Sequence, residues 1–122
     1  MVKSFSWLSF PQIEACCNAI FNRESFTQNY REWESKYITG GKAIIGGEYE
    51  GFTKIIAHKE TDEILGVHII GPHATDLIAE ASLALVLEAT PWEIGATTHA
   101  HPTLSEILGE TAMAVDGRSI NF

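Results

Sequence analysis

The sequence predicts an α+β fold built on an antiparallel sheet. Three observations point there. Residues 51–71, "GFTKIIAHKETDEILGVHIIG", read as two strands joined by a polar turn. After residue 72 the apolar spacing changes from alternation to the three-and-four spacing of helices. Strands therefore come first and helices follow, an order that segregates the two element types instead of interleaving them around a parallel sheet.

A chain of 122 residues can bury one real core and is short for two domains. Apolar residues make up 45% and charged residues 20%, a globular balance and not a disordered one. The net charge of −8 argues against nucleic acid or an anionic membrane as main partner, since both need a basic surface. Cys16 and Cys17 are adjacent, poorly placed to bridge each other and not spaced as a zinc or redox motif. A reducing compartment, hence a cytoplasmic location, is the expectation. The start, "MVKSFSWLSF", carries serines and no small-residue cleavage pattern, and reads as mature protein. No apolar run approaches the ~20 residues that span a bilayer.

Residues 1–38 form a divergent N-terminal segment, expected to belong to the same domain as residues 39–122. Within it "PQIEACCNAIF" suggests a short helix from Pro11, with Ile13, Cys16, Cys17 and Ile20 on one face. "NRESFTQNYREWESKY" is polar with scattered aromatics and shows no clear element. In "TGGKAIIGGEYEGF" two Gly-Gly pairs surround a short apolar run. They match neither a phosphate loop nor a dinucleotide fingerprint, and turn glycines flanking a strand are the better reading.

The hairpin follows. Thr53, Ile55 and Ala57 share one face of its first strand; Phe52, Lys54, Ile56 and His58 share the other. "KETDE" is the turn, and "ILGVHIIG" returns rich in β-branched residues. His58 and His68 lie in these strands, where a lone histidine is ordinarily structural or exposed. "PHATDLIAEASLALVLEA" is helical, with Leu77, Ile78, Ala81, Ala84 and Leu85 in helical register and Asp76 and Glu80 in its N-terminal half. Ala79, Ala81, Ser82 and Ala84 would allow close approach of another backbone. "TPWEIGAT" starts a short helix with Thr90 as cap and Pro91 in the first turn, and "SEILGETAMAV" is again helical.

Between the last two helices lies "HAHPTLSE", residues 99–106, which admits three readings. Thr103 and Glu106 form the Thr-x-x-Glu of a capping box, with Pro102 stopping the segment before it. His99, His101 and Glu106 could be metal ligands, although a proline after His101 and an acid on a helix do not favour convergence. Alternatively His101 and Glu106 handle a proton. Side chains in a first turn lean back toward the N-terminus, so Glu106 can reach an imidazole just ahead of the helix. Such a carboxylate fixes the tautomer and stabilises the imidazolium.

"EYEGFTKIIAHKETDEILGVHIIGPHATDLIAEASLAL" together with "THAHPTLSEIL" resembles the C-terminal interface domain of dihydrolipoamide dehydrogenase, in the pyridine nucleotide-disulfide oxidoreductase family of flavoproteins. The resemblance runs from about Thr39 to about Gly117, and favours the lipoamide member over the glutathione and mercuric ones. It implies the dimerisation-domain fold of FAD/NAD-linked reductases, an antiparallel sheet with helices packed on one side. By the same resemblance His101 is the catalytic base, Glu106 the acid that orients it, and His101–Pro102 a cis peptide bond. Pro102 and Thr103 are structural, and the main chain of His99 and Ala100 approaches a flavin. The family's domain forms a homodimer, and its base works in trans on the partner's FAD and redox disulfide. Lipoyl-bearing proteins are the implied substrates and NAD⁺ the acceptor.

This sequence has no Gly-x-Gly-x-x-Gly and no Cys-x-x-x-x-Cys. It is therefore expected to hold no cofactor alone and to turn nothing over by itself, while the full-length family enzyme carries FAD and NAD. Residues 1–38 also depart from the family, whose first strand and Thr-Glu-rich helix are not visible there. Two other functions stay open at this point. One is a non-enzymatic module that self-associates, or binds a larger flavoprotein, through helix 74–88; the other is the His99–His101–Glu106 metal site.

Overall fold

A computed structural model describes residues 17–20, 30–36, 41–47 and 50–120. It shows an α+β domain in the order β1 (Cys17–Ile20), β2 (Tyr30–Lys36), α1 (Gly41–Gly46), β3 (Phe52–His58), β4 (Ile64–Ile70), α2 (Ala74–Val86), α3 (Pro91–Ala96) and α4 (Glu106–Val115). The strands form one four-stranded sheet in the order β1-β4-β3-β2, with every neighbouring pair antiparallel.

The predicted hairpin is the centre of the sheet. Thr53, Ile55 and Ala57 on β3, with Val67 and Ile69 on β4, are buried. Ile56 opposes Gly66 and Ala57 opposes Ile64, so Leu65 is an extra residue in β4, a bulge that tightens the local twist. The turn is fixed from within: His58 Nδ1 accepts the main-chain N–H groups of Glu60 and Thr61, at 3.3 and 3.2 Å. His58 is thus a turn-forming residue. His68 is half-buried, and its pKa is lowered by burial and by the neighbouring Lys54 charge.

The N-terminal third differs from its sequence reading. Residues 17–20 are a strand, not the end of a helix; Cys17 opposes Ile69 and Ile20 opposes Gly66. A short apolar run does not separate helix from strand by periodicity, and here the free edge of β4 decides. The earlier part of that expected helix, residues 11–16, lies outside the described residues. Residues 30–36 form an edge strand on β3. Their inward positions include Arg31, half-buried, and Ser35, buried, while Glu32 and Glu34 are exposed. Polar residues on the inner face concealed the alternation. The run at 41–46 is a helical turn and not a strand: Ala43 alone reaches the core, while Ile44 and Ile45 stay exposed. Gly47, at φ 70°, ends it in the left-handed conformation that glycine adopts without cost.

Helices α2 and α4 cover the inner face of the sheet. Ala74, Ala81, Ala84 and Leu85 of α2 and Ile107, Leu108, Ala112 and Val115 of α4 meet Ile55, Ala57, Val67 and Ile69 in one core. Arg31 fastens three parts together, donating to Asp62 in the hairpin turn, to Asp116 at 3.1 Å and to the Val115 carbonyl at 3.3 Å. Among the described residues no helix is long and apolar enough to cross a membrane.

Candidate active site

The site is the loop between α3 and α4, with α2 behind it. Helix α3 begins as expected at Thr90 and Pro91. The Glu93 carboxylate accepts the Thr90 main-chain N–H at 2.8 Å and also the Thr90 hydroxyl. At the other end Thr97 turns extended, its hydroxyl donating to the Glu93 carbonyl at 2.8 Å. The chain then runs through Thr98, His99 and Ala100 to a cis His101–Pro102 bond.

Glu106, the first residue of α4, uses its two oxygens for two tasks. Oε2 accepts the Thr103 main-chain N–H at 2.8 Å, and Oε1 lies 2.8 Å from His101 Nδ1. One carboxylate thus makes both the main-chain contact expected of a cap and the imidazole contact expected of a His–Glu pair. The capping box itself is formed only in half. A turn through Leu104 and Ser105 precedes the helix, so Ser105 occupies the cap position and Thr103 sits outside it. The Thr103 hydroxyl instead donates to the Ala100 carbonyl at 2.5 Å and meets Ser105 Oγ at 2.9 Å, closing the loop on itself. Burial pushes the Glu106 pKa up. The Thr103 N–H, the His101 hydrogen bond and the charges of His101 and His99 outweigh it, and the carboxyl lies below its ordinary value. The His101 side chain is 76% exposed and that of Glu106 25%, so the imidazole faces outward from a partly sheltered acid.

His99 does not join them. Its side chain is only 10% exposed, and Nε2 lies 2.7 Å from Glu80 Oε1 on α2. The hydrogen bond to Glu80 raises the His99 pKa, against burial, which lowers it. The ring lies on Gly109 of α4, where a Cβ would stand 2.8 Å from Nδ1 and 2.9 Å from Cε1. Sequence reasoning found His99 but neither of these partners. Glu80 left no local signal, being nineteen residues away on another element. Gly109 did leave one: an isolated glycine inside a helical pattern often marks a close approach.

The two histidines are thus bound to different carboxylates. Among the described residues no group of three His, Cys, Asp or Glu side chains is placed to hold a metal ion. The small residues of α2 are not an outer face either. Ala81 and Ala84 pack into the core, and Ser82 is half-buried with its hydroxyl on the Ile78 carbonyl at 2.9 Å. Ala79 alone of the four is exposed, beside the larger Leu83, Val86 and Leu87.

A helix-backed antiparallel sheet that presents an outward imidazole beside the first glutamate of a helix defines an α+β domain. The chain belongs to the family described as "Pyridine nucleotide-disulphide oxidoreductase, dimerisation domain", whose model matches residues 23–112. It is similar to the dihydrolipoyl dehydrogenase of Bacillus subtilis (strain 168), 63% identical over 86 residues, covering 70% of this chain and 18% of that protein. Against the dihydrolipoyl dehydrogenase of Cupriavidus necator it is 38% identical over 114 residues, covering 93% of this chain and 24% of that one. Among solved structures it superposes on LpdA from Mycobacterium tuberculosis with a TM-score of 0.67 and 26% identity, over 70% of this chain and 19% of LpdA. The flavoprotein disulfide reductase RclA from Escherichia coli, in its Cu(II) complex, shares the fold at a TM-score of 0.69 and 17% identity, over 75% of this chain and 21% of that one. The chain spans a quarter or less of the length of these relatives. It is a dimerisation domain of the dihydrolipoyl dehydrogenase-like kind.

Proposed function

We propose that this chain supplies the proton-handling half of a dihydrolipoyl dehydrogenase-type active site, with His101 as base and Glu106 as the acid that orients it. The observation that carries the reading is the 2.8 Å contact between His101 Nδ1 and Glu106 Oε1 on an imidazole that is otherwise open to solvent. With Nδ1–H donated to the carboxylate, the lone pair lies on Nε2 of a side chain that is 76% exposed. A dihydrolipoyl thiol reaching that nitrogen gives its proton to Nε2, and Glu106 stabilises the imidazolium that forms. The thiolate left behind is the nucleophile for thiol–disulfide exchange.

The stretch Thr97–Pro102, exposed except for the His99 side chain, fits an edge contact with a flavin held by another domain. The Ala100 carbonyl is already engaged by Thr103, and nothing in this loop encloses a ring system. A flavin bound there would supply two-electron transfer onward to a nicotinamide. The disulfide and both nucleotide sites come from outside these residues. The chain is inactive alone, pairs with a second copy, and acts in trans on the partner's FAD and disulfide. The adjacent cysteines support a reducing, cytoplasmic setting.

Complementation tests this. In a full-length flavoprotein carrying this chain as its C-terminal domain, one subunit bears His101→Ala and the other lacks its redox cysteines. Mixed dimers should recover about half of the activity of one wild-type pair of sites, while each variant alone is nearly inactive. No recovery in mixed dimers would overturn the in-trans assignment.

A further inference from the structure

The mechanism above uses His101 and Glu106 and leaves a second histidine–carboxylate pair unused. His99 and Glu80 meet at 2.7 Å with the His99 side chain almost fully buried. A pair of this kind restricts both of its partners, because breaking it would leave a buried ring nitrogen without a partner. Its position gives that restriction a direction. His99 precedes the site imidazole by two residues in an extended segment, and its ring rests on Gly109, three residues after Glu106 on the same helix. Residues three apart on a helix lie on one face. The loop therefore meets one face of α4 through His99 at Gly109 and through His101 and Thr103 at Glu106, and meets α2 through the bond to Glu80.

We propose that Glu80 and His99 form a latch that positions the His101–Glu106 dyad, tying the loop to α2 and α4 so that His101 Nδ1 meets Glu106 in one geometry. The proposal rests on the reading of the dyad given above. Glu80 is a positioning residue, since it touches neither thiol nor cofactor, and the buried His99 side chain has the same role, only the main chain there facing the proposed flavin. The charged groups around the His99 ring are Glu80 from α2 and Glu106 from α4, with His101 in its own loop. Protonated His99 is held by the Glu80 carboxylate, the more distant Glu106 charge favours the same state, and the latch is closed in it. When His99 loses its proton the attraction to Glu80 weakens, and the loop depends more on packing, on the Thr103 bonds and on the contacts to Glu106.

Imidazole ¹H–¹⁵N spectra of the 122-residue chain test this across the histidine titration range, in wild type, Glu80→Gln, Gly109→Ala and Glu106→Gln. In wild type the His101 nitrogens should report a step that tracks His99. Glu80→Gln should move the His99 step to lower pH and carry the step seen at His101 with it. Gly109→Ala displaces the ring without altering a charge, and should shift the His101 signals at every pH. It also decides the matter if Glu80→Gln fails to fold. His101 signals unmoved by both changes, with Glu106→Gln still shifting them, would overturn the latch and spare the dyad. His101 signals that ignore Glu106→Gln would overturn the dyad reading itself.

Discussion

Glu80 Oε1 stands 2.7 Å from His99 Nε2, joining the middle of α2 to the loop that carries His101. The bond holds the His99 pKa above its ordinary 6.5. A group raised in this way contributes its full stabilisation below its unfolded pKa and loses it as pH climbs through the folded one. Wild type should therefore exceed Glu80→Gln in stability most clearly just below pH 6.5, and the gap should close at alkaline pH. The acid-side gap should be about 1–2 kcal/mol, a charge-assisted hydrogen bond reduced for its partly exposed carboxylate. Urea unfolding of both chains on each side of that window measures it. A gap independent of pH would show that Glu80 acts through packing.

Gly109→Ala should destabilise the chain by about 1–2 kcal/mol, although alanine is the better helix former by ~1 kcal/mol. A Cβ there meets the His99 ring at 2.8 Å, and the ring cannot yield without leaving Glu80. Gly95→Ala is the control. Its Cβ meets Met113 Cγ at 2.9 Å, so the Met113 side chain must shift, but no ion pair is broken and the loss should be smaller than at 109. The penalty at 109 should shrink in a Glu80→Ala background, where the ring is released, and a double-mutant cycle reads that coupling. Strict additivity would separate the two positions.

The hairpin, the three C-terminal helices and the His101–Glu106 approach were legible because each rests on short-range rules. Alternation exposes Thr53, Ile55 and Ala57 as an inner face, and helical spacing does the same for α2 and α4. The backward lean of a first-turn side chain brings Glu106 to His101. The N-terminal strands were hidden for a different reason. The inward positions of β2 include Arg31 and Ser35, so hydrophobic alternation was absent, and β1 is held by the free edge of β4. Arg31 is tolerated inside because Asp62, Asp116 and the Val115 carbonyl meet it, partners up to 85 residues distant. Glu80 escaped notice likewise: its value lies in a tertiary contact, and on α2 alone it looks like a helix-favouring acid.

His101→Ala and Glu106→Gln should part company when turnover and stability are measured together in a full-length flavoprotein carrying this domain. Removing the proposed base should cost ~10²-fold or more in rate. It should leave unfolding nearly unchanged, since the ring is 76% exposed and touches the fold chiefly through Glu106. Glu106→Gln should lose rate on the order of 10- to 100-fold, because the imidazolium loses its counter-charge. It should also lose about 1 kcal/mol of stability, because the same side chain accepts the Thr103 N–H ahead of α4. The Glu106 pKa is held below 4.5, so its share of stability is present above that value and disappears only as pH falls through the lower, folded one. The stability gap between wild type and Glu106→Gln should accordingly be flat through neutral pH and collapse only in acid. Equal losses of stability in the two variants, or a rate untouched by His101→Ala, would remove the separation of roles that the two oxygens of Glu106 suggest.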